Sequence, residues 1–427
     1  MSLGSRVTHF TSAEIGLIAS FYLTGAVLGS LFFGYLTDLF GRKKLFFVTL
    51  SVYLIGAFLT AFSWNLWTFI VFRFINGSGI GGEYAAINST IDELIPARVR
   101  GRVDLIINGS FWVGAAIGSL STIWLLDPNL IPVDLGWRLG FGIGAVLGLI
   151  ILVLRRHIPE SPRWLSTHGK PEEAETIVSG MEEQIAEEIG KKLPTPEETL
   201  TIHPRKHFGF GVIAKTMFKK YRTRSILGLS LMVSQAFLYN AIFFTYAMVL
   251  THFYSIPASE TGMYLLPFAL GNFMGPLVLG RFFDTVGRRQ MISGTYTASA
   301  LLLILTGYLF TRGALSGYSQ TALWTVIFFF ASAAASSAYL TVSEIFPLET
   351  RAMAIAFFYS LGTAAGGIVA PWLFGTLIGT GSRTAVFYGY LAGALLMLAA
   401  AGVEIAYGVS AERKSLEEVA APLSAEG

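Results

Sequence analysis

The chain has 427 residues, of which 53% are hydrophobic and only 13% are charged, whereas a soluble domain usually carries about 25% charged residues. The polar side chains are too few to cover a soluble core of this size, and a net charge of +3 provides no electrostatic footprint for nucleic acid. The absence of cysteine excludes disulfides and cysteine-based metal sites. The composition therefore favours a helical membrane protein, in which abundant glycine lets helices pack closely.

The predicted elements are eleven apolar segments, each long enough to cross a bilayer as a helix. A hydrocarbon core about 30 Å thick needs roughly 20 apolar residues per helix. In chain order the segments lie near residues 13–36, 45–63, 66–91, 103–126, 138–156, 224–251, 262–282, 290–310, 320–342, 352–377 and 384–408. The polar stretch 157–223 separates the fifth segment from the sixth, and its Glu-rich run 172–190 favours one or two surface helices.

The positions of lysine and arginine predict the orientation, because cytoplasmic loops of membrane proteins are enriched in these residues. If the basic loop 34–44 is cytoplasmic, the alternate loops and the C-terminal tail are cytoplasmic too. The opposite side then holds only Arg6, Arg138, Arg312 and Arg383, and Arg73 lies inside a span. We therefore expect an N-terminal bundle (1–156), a cytoplasmic linker (157–223), a C-terminal bundle (224–408) and a cytoplasmic tail (409–427).

Two charged motifs occur in both bundles in the same order. "GYLTDLFGRKK", residues 34–44, is followed 246 positions later by "GRFFDTVGRRQ", residues 280–290. The pattern E-x-x-P-x-x-x-R recurs with an offset of 251 residues. The charged residues of these four copies are Asp38, Arg42, Glu93, Arg100, Asp284, Arg288, Glu344 and Arg351. Internal duplication of a helical bundle is typical of secondary transporters.

The duplication also indicates a gap at the start of the first half. In the second half two apolar segments precede the loop motif, whereas in the first half only one does. We therefore expect a full architecture of twelve spans, of which the first is absent here. Either the start is misassigned or the chain is a natural eleven-span variant.

These motifs resemble a known family. The pattern G-x-x-x-D-x-x-G-R-K resembles the signature loop of the major facilitator superfamily, and "PESPRW" (159–164) and "SEIFPLETR" (343–351) resemble its sugar-porter branch. Residues 81–102 are similar to bacterial metabolite and niacin transporters. The resemblance implies an all-α fold of two bundles that pivot around a central site. It also implies that the eight charged residues form gating networks on the cytoplasmic face; the alternative is that they only fix topology and fold.

Arg73 and Glu83 are charged residues within a predicted span, where such a group costs at least ~2.5 kcal/mol near the centre. The resemblance implies that Arg73 takes part in proton coupling by pairing with an Asp on the first family helix; the alternative is snorkelling to the interface. Glu83 lies about 15 Å further along the helix, so direct pairing with Arg73 is not expected. Glu83 is predicted to relay protons or contact the substrate, and the alternative is a structural hydrogen bond to Tyr84, Asn88 or a neighbouring helix.

Neutral polar residues provide a candidate substrate pocket. Gln235 and Asn240 resemble the amides with which sugar porters bind hydroxyl groups, since an amide both donates and accepts hydrogen bonds. The candidate substrate-binding residues are Asn108, Gln235, Asn240, Tyr339 and, more weakly, Asn272. Phe243 and Phe244 stand near the tyrosines of the family, and Leu238 replaces a glycine, so the pocket is more apolar than a sugar porter's. For each amide the alternative is helix–helix hydrogen bonding, worth about 0.6 kcal/mol on average in membranes.

The leading interpretation is a multi-pass transporter of the cell membrane that moves a small organic metabolite, coupled to protons. A sugar, an aromatic or nicotinate-like acid and other organic anions all remain possible substrates. The alternatives are an uncoupled facilitator and a non-transporting receptor or sensor. The sequence holds no nucleophile–base set, metal cluster or phosphate-binding loop, so we expect no enzyme activity, cofactor or bound metal. We expect a monomer whose partners are its substrate, protons and lipid.

Overall fold

The structure is a bundle of long helices joined by short connections. The computed structural model describes residues 12–125, 127, 129–190, 210–243, 245–257 and 260–423. Its helices are α1 (Ser12–Phe40), α2 (Arg42–Ala61), α3 (Leu66–Leu94), α4 (Arg100–Gly109), α5 (Phe111–Leu125), α6 (Val133–Leu154), α7 (Pro162–Thr167), α8 (Pro171–Ile189), α9 (Phe210–Lys215), α10 (Arg222–Phe243), α11 (Tyr246–Tyr254), α12 (Thr261–Thr285), α13 (Arg288–Thr311), α14 (Gly317–Ile345), α15 (Arg351–Gly362), α16 (Val369–Gly379), α17 (Arg383–Tyr407) and α18 (Leu416–Val419). The predicted all-helical membrane fold is confirmed.

Ten helical stretches within the described residues are long and apolar enough to cross a membrane. Helix α3 is not among them, although its 29 residues would suffice in length. Its middle section, Asn76 to Glu83, consists largely of polar and small residues, which lower its mean hydropathy. The predicted count of eleven spans therefore stays a prediction.

Three of the predicted spans depart from a regular α-helix in the structure. A turn at Ser110 separates α4 from α5, and Thr245 precedes α11 after the end of α10. Between α15 and α16 the chain forms a π-helical segment, Thr363–Ile368. A Cβ added to Gly362 would lie 2.7 Å from the Met232 carbonyl oxygen, so α10 packs directly against the backbone here. Such π segments occur frequently at functional sites.

The two halves of the molecule, α1–α6 and α10–α17, meet along two equivalent helix crossings. Helix α1 packs against α15, and α12 packs against α4 and α5. Gly34 on α1 and Gly280 on α12 lie at these crossings and occupy equivalent places in the duplicated motif. A Cβ on Gly34 would collide with the Ala356 side chain, and one on Gly280 would lie 3.3 Å from the Cα of Arg102. Glycine therefore allows the two halves to approach closely.

The second glycine of each motif copy makes the turn between two long helices. Gly41 has φ of 101° and precedes α2, and Gly287 has φ of 124° and precedes α13. Positive φ in this range is costly for any residue with a Cβ. The backbone geometry thus explains why both copies carry glycine here.

The polar linker contains one long surface helix, α8, whose residues are mostly exposed. Before it, Ser161 caps the short helix α7 by accepting a hydrogen bond from the Trp164 backbone. In the tail, Ser415 caps α18 in the same way, through the Glu418 backbone. These two segments lie together at the end of the bundle that carries the duplicated charged motifs, which we call the basic end.

Candidate functional site

A cavity of about 240 Å³ lies between the two halves. Both halves contribute to its wall, which is formed by Tyr22, Leu23, Ala26, Ile80, Tyr84, Asn108, Phe111, Trp112, Gln235, Ala236, Tyr239, Asn240, Phe243, Ser332, Ala335, Ser336, Tyr339, Tyr359 and Thr363. Aromatic rings, amides and hydroxyl groups dominate, and none of these lining side chains is charged. The wall can thus offer hydrogen bonds and stacking surfaces to a ligand, but no ion pair.

Four of the five predicted substrate-binding residues lie on this wall: Asn108, Gln235, Asn240 and Tyr339. Asn240 donates from its amide to the Ala236 carbonyl at 2.6 Å. Because an amide group has further donor and acceptor sites, capacity remains for a ligand. Phe243 also lies on the wall, whereas Phe244 lies outside the described residues.

The fifth predicted residue, Asn272, does not reach the cavity. It is fully buried, its Oδ1 accepts a hydrogen bond from the Tyr239 hydroxyl at 2.8 Å, and its Nδ2 donates to the Phe268 carbonyl at 2.9 Å. The sequence predicted that Asn272 contacts the substrate. The structure corrects this prediction, because Asn272 lies behind Tyr239, which forms part of the wall. Asn272 is a positioning residue for that tyrosine.

Three tyrosines form the floor of the cavity toward the basic end. The rings of Tyr84 and Tyr339 stack with centroids 5.4 Å apart, and those of Tyr84 and Tyr359 with centroids 5.0 Å apart. On α3, α14 and α15 respectively, each is the lining residue nearest the basic end. The stack therefore joins the N-terminal half to the C-terminal half beneath the cavity. The sequence analysis did not find this stack.

Arg73 lies behind the cavity wall. Its Nη1 donates to Asn76 Oδ1 at 2.9 Å, and its guanidinium lies 4.2 Å from the centre of the Tyr22 ring, which lines the cavity. The structure pairs it with no carboxylate among the described residues. Its polar and aromatic neighbours therefore include the Asn76 amide and the Tyr22 ring, whose face attracts a cation.

Glu83 is buried and forms an ion pair with Arg155, at the end of α6. Arg155 also donates to the Phe46 carbonyl at 3.0 Å, so the pair links α3, α2 and the end of α6. Glu83 is not part of the cavity wall. The structure thus places Arg73 and Glu83 with separate partners; their roles in proton coupling remain predictions.

At the basic end, four predicted residues form cluster 1, which comprises Asp38, Arg42, Glu93 and Arg351. Arg42 Nη2 lies 3.0 Å from Glu93 Oε1 and 3.3 Å from Asp38 Oδ1. Arg351, from the other half, places Nη1 3.2 Å from the same Glu93 oxygen. The Met353 backbone N–H, also from the other half, donates to Asp38 Oδ2 at 2.9 Å.

The other four predicted residues form cluster 2, which comprises Asp284, Arg288, Glu344 and Arg100. Arg288 lies 2.9 Å from both Asp284 Oδ1 and Glu344 Oε1. Arg100, from the N-terminal half, places Nη1 3.3 Å from Glu344 Oε1. The Gly101 backbone N–H donates to Asp284 Oδ1 at 3.0 Å. Cluster 2 thus repeats the arrangement of cluster 1 with the roles of the two halves exchanged. In cluster 1 the C-terminal half supplies the arginine that crosses over, and in cluster 2 the N-terminal half supplies it.

Two further carboxylates extend this symmetry and were missed by the sequence analysis. Glu160 Oε1 accepts from the Arg42 backbone N–H at 2.9 Å, and Glu412 Oε2 accepts from the Arg288 backbone N–H at 3.3 Å. Glu160 follows α6 and Glu412 follows α17, which are the last long helices of the two halves. A search of the sequence for a third repeated motif could have used this equivalence to find them. Together these groups cap the first turns of α2 and α13, where a negative charge is favoured.

The linker and the tail are joined by an ion pair outside the membrane-spanning helices. Arg163 Nε lies 2.6 Å from Glu417 Oε1, and Arg163 Nη1 also donates to the Glu93 carbonyl. Burial alone would raise the pKa of Glu417, but the Arg163 guanidinium outweighs it and holds that pKa below its ordinary range. The tail is thereby tied to cluster 1.

Comparison with known proteins gives consistent matches over nearly the whole chain. A family model described as "Sugar (and other) transporter" matches residues 3–419. The niacin transporter NiaP of Acinetobacter baylyi is 26% identical over 417 residues, covering 96% of this chain and 88% of its own. Myo-inositol transporter 2 of Schizosaccharomyces pombe is 30% identical over 372 residues, covering 83% of this chain and 65% of its own. The putative metabolite transport protein YdjK of Escherichia coli is 30% identical over 429 residues, covering 93% and 84% respectively.

Among solved structures, the proton:xylose symporter XylE of the major facilitator superfamily, bound to 6-bromo-6-deoxy-D-glucose, superimposes with a TM-score of 0.79. The match covers 96% of this chain and 90% of that one, at 19% sequence identity. At this identity the likeness shows the fold alone. The predicted major-facilitator fold is confirmed at this level.

Proposed function

Because the chain belongs to the sugar (and other) transporter family, we propose that it moves one small organic metabolite, a sugar or an organic acid, by alternating access coupled to protons. As predicted, it is a multi-pass membrane transporter and not an enzyme. The cell membrane is the typical location of its homologues. The observation that carries the proposal is a cavity walled by both halves and closed at one end by ion pairs that cross between them.

Alternating access is proposed because ion pairs between the two halves hold the basic end closed. The positive-inside rule makes this end cytoplasmic, so the structure would represent a state closed toward the cytoplasm. To open there, the halves must break the pairs Glu93–Arg351 and Arg100–Glu344, which connect opposite halves. Because these groups are buried, their attraction is larger than that of surface pairs. The two clusters are therefore proposed as the gate.

The cavity supports a small, ring-shaped substrate with hydroxyl or other neutral polar groups. About 240 Å³ corresponds to roughly eight water volumes, a size that suits a small metabolite. Amides such as Gln235 and Asn240 are suited to hydroxyls, and the tyrosine rings are suited to ring faces. A carboxylate would meet no cation on the wall, since Arg73 lies behind Tyr22. We therefore favour a monosaccharide-sized polyol over an organic anion.

Proton coupling is proposed to involve Arg73, as the family resemblance indicates, and Glu83, as its position within a span indicates. One observation favours a second candidate, an uncoupled facilitator. Arg73 meets Asn76 and Tyr22, and no carboxylate among the described residues pairs with it. Proton coupling would then depend on a carboxyl group that is not paired with Arg73.

Helix α3 is proposed as the eleventh span. It packs against both α1 and α2, which are themselves candidate spans. Single cysteines in place of Asn65 and Pro96, at its two ends, should react with an impermeant reagent from opposite sides of the membrane. Reaction of both from one side would contradict this proposal.

Uptake into proteoliposomes tests the function directly. The purified chain would be assayed with labelled myo-inositol, D-xylose and nicotinate, with and without a pH gradient. We expect uptake of at least one compound, accelerated by a gradient that is acidic outside, and a higher KM for Gln235→Ala and Asn240→Ala. Ser234→Ala is the matched control, since the Ser234 hydroxyl bonds to the Leu231 carbonyl of its own helix. Uptake without gradient dependence would favour the facilitator, and uptake unchanged in both amide variants would contradict the assigned cavity.

A further inference from the structure

Asp104 is a buried carboxyl group that the clusters do not account for. It lies on α4 and is fully buried. Its Oδ1 lies 3.2 Å from Asn108 Nδ2, which donates to it, and its Oδ2 has no hydrogen-bond partner among the described residues. An ionised carboxylate with an unsatisfied oxygen is costly in such a place, whereas a protonated one is much less so.

The position of Asp104 connects the cavity to the gate. Asn108, one helical turn away on one side, lines the cavity. Arg100, one turn away on the other side, donates to Glu344 across the two halves. Asp104 is thus one hydrogen bond from the cavity wall, through Asn108, and one helical turn from Arg100 of cluster 2.

The charge balance of the two clusters differs because of this residue. In cluster 1 two carboxylates face two guanidinium groups. Cluster 2 has the same balance, but Asp104 adds a third carboxyl group to it. With the offset of 251 residues between the repeated motifs, the counterpart of Asp104 in the other half is Ile355, which is buried and apolar. The charges of the four residues of cluster 2 balance without Asp104, so an ionised Asp104 adds a negative charge to them that protonation removes.

The charged groups that act on Asp104 are Glu344 from α14, Arg288 from α13 and Arg100 from α4 itself, and the Asn108 amide donates to it. Asp284 from α12 accepts from the α4 backbone at Gly101, and Asn88 from α3 accepts from Asn108. The tail adds the Lys414 carbonyl, which accepts from Arg100 at 3.3 Å.

We propose that Asp104 binds the proton that is coupled to transport, and that its ionisation weakens the gate. This inference rests on the proposed proton-coupled function. When Asp104 carries the proton on Oδ2, cluster 2 is balanced and Arg100 stays with Glu344, so the cytoplasmic end is closed. When the end opens and the proton passes from Oδ2 to the cytoplasmic water, the carboxylate competes with Glu344 for Arg100, so the open state gains stability. No bond other than the O–H bond forms or breaks.

The sign of the pH dependence follows from proton linkage. Because the closed state binds one proton more than the open state, acid favours closure, by up to about tenfold in the closed-to-open ratio per pH unit. Asparagine is a neutral mimic of the protonated acid. Asp104→Asn should therefore remain closed at every pH at which the parent chain opens.

The test uses spin labels on the full chain, which has no native cysteine. Cysteines replace Phe40 and Val286, which occupy equivalent ends of α1 and α12 and are 49% and 53% exposed. The label-to-label distance would be measured in lipid from mildly acidic to mildly alkaline pH. We expect a longer distance to gain population with rising pH in the parent chain, and only the short distance in Asp104→Asn. Asp104→Glu should restore the pH response, which also guards against misfolding of the asparagine variant.

Glu404→Gln is the matched control. Glu404 is equally buried and its carboxylate oxygens also have no partner among the described residues, but it lies on α17 within the C-terminal half. The Glu404→Gln variant should keep the pH response of the parent chain. An unchanged pH response in Asp104→Asn, alongside proton-driven uptake by the parent chain, would overturn this inference and leave the proposed function intact. A parent chain whose uptake and distances both ignore pH would overturn the proton coupling itself.

Discussion

Arg351 Nη1 lies 3.2 Å from Glu93 Oε1, although the two residues are 258 positions apart and belong to opposite halves of the molecule. Both are buried, with 1% and 3% of their surface exposed. The same Glu93 oxygen accepts from Arg42 of its own half. In the proposed pivoting motion, Glu93 would keep Arg42 of its own half and release Arg351 of the other half when the end opens.

The gate predicts that Glu93→Gln favours the state open to the cytoplasm. Removing one partner of a buried ion pair costs about 3–5 kcal/mol, and part of that cost falls only on the closed state, where Arg351 is engaged. A cysteine in place of Ser336, on the cavity wall, should therefore react faster with an impermeant maleimide applied from the cytoplasmic side. Glu172→Gln, on the exposed surface of α8, is the control. Equal rates in both variants would count against the gate.

The cavity wall predicts a coupled effect of Asn272 and Tyr239. Since Asn272 acts by holding the Tyr239 hydroxyl, Asn272→Ala and Tyr239→Phe should each raise the KM of uptake by several-fold, about 1 kcal/mol for one lost hydrogen bond. The double variant should be no worse than either single variant. Fully additive effects would show that the two residues act independently and would contradict the positioning role.

If the three stacked tyrosines seal the floor of the cavity, Tyr84→Ala and Tyr84→Phe should differ in how much substrate they let leak. Two ring contacts worth about 0.5–1.5 kcal/mol each are lost with alanine but retained with phenylalanine. Tyr84→Ala should raise the leak of substrate from loaded proteoliposomes, and Tyr84→Phe should behave like the parent chain. A leak of equal size in both variants would assign the role to the hydroxyl group instead of the stacked rings.

The tail predicts an acid-sensitive contact with the linker. Because the pKa of Glu417 is lowered in the folded state, its stabilising contribution is fully present above the ordinary value of about 4.5 and is lost as the pH falls through the folded-state pKa. The protection factors of residues 410–423, that is, their hydrogen-exchange rates corrected for the intrinsic effect of pH, should therefore fall in acid. The pair with Arg163 is partly exposed, so we expect no more than about fivefold, the equivalent of roughly 1 kcal/mol. Glu417→Gln should show the lower protection already at neutral pH, whereas protection factors that do not change with acid in the parent chain would contradict the assignment.

The duplicated motifs allowed both clusters to be located from sequence. Glycine, carboxylate and arginine recur at fixed spacing, and both copies meet in the same environment because the two halves are related by the repeat. Gln235 and Asn240 were found because they resemble a known pattern. The wall contact of Asn108 was inferred in the same way.

Other features depend on helix rotation, which a segment apolar on all sides does not reveal. Asn272 faces Tyr239 instead of the cavity, and nothing in the apolar residues around it marks that face. The partner of Glu83 is Arg155, 72 residues away at the end of another helix. Asp104 lies two residues after the "RGR" of residues 100–102 and resembles a further charge at a helix end, so its burial emerged only from the packing of α4 against α12 and α14. The expectation of a further span before the first apolar segment stays a prediction.

The most direct test of the account is a pair of distances measured in the same protein preparation in lipid. One pair of spin labels, at Phe40→Cys and Val286→Cys, reports on the basic end, and a second pair, at Asn129→Cys and Ala314→Cys, reports on the opposite end; all four positions are exposed. Alternating access predicts that the two distances change in opposite directions when substrate is added or the pH is changed. Distances that lengthen together, or that stay fixed while uptake proceeds, would contradict it.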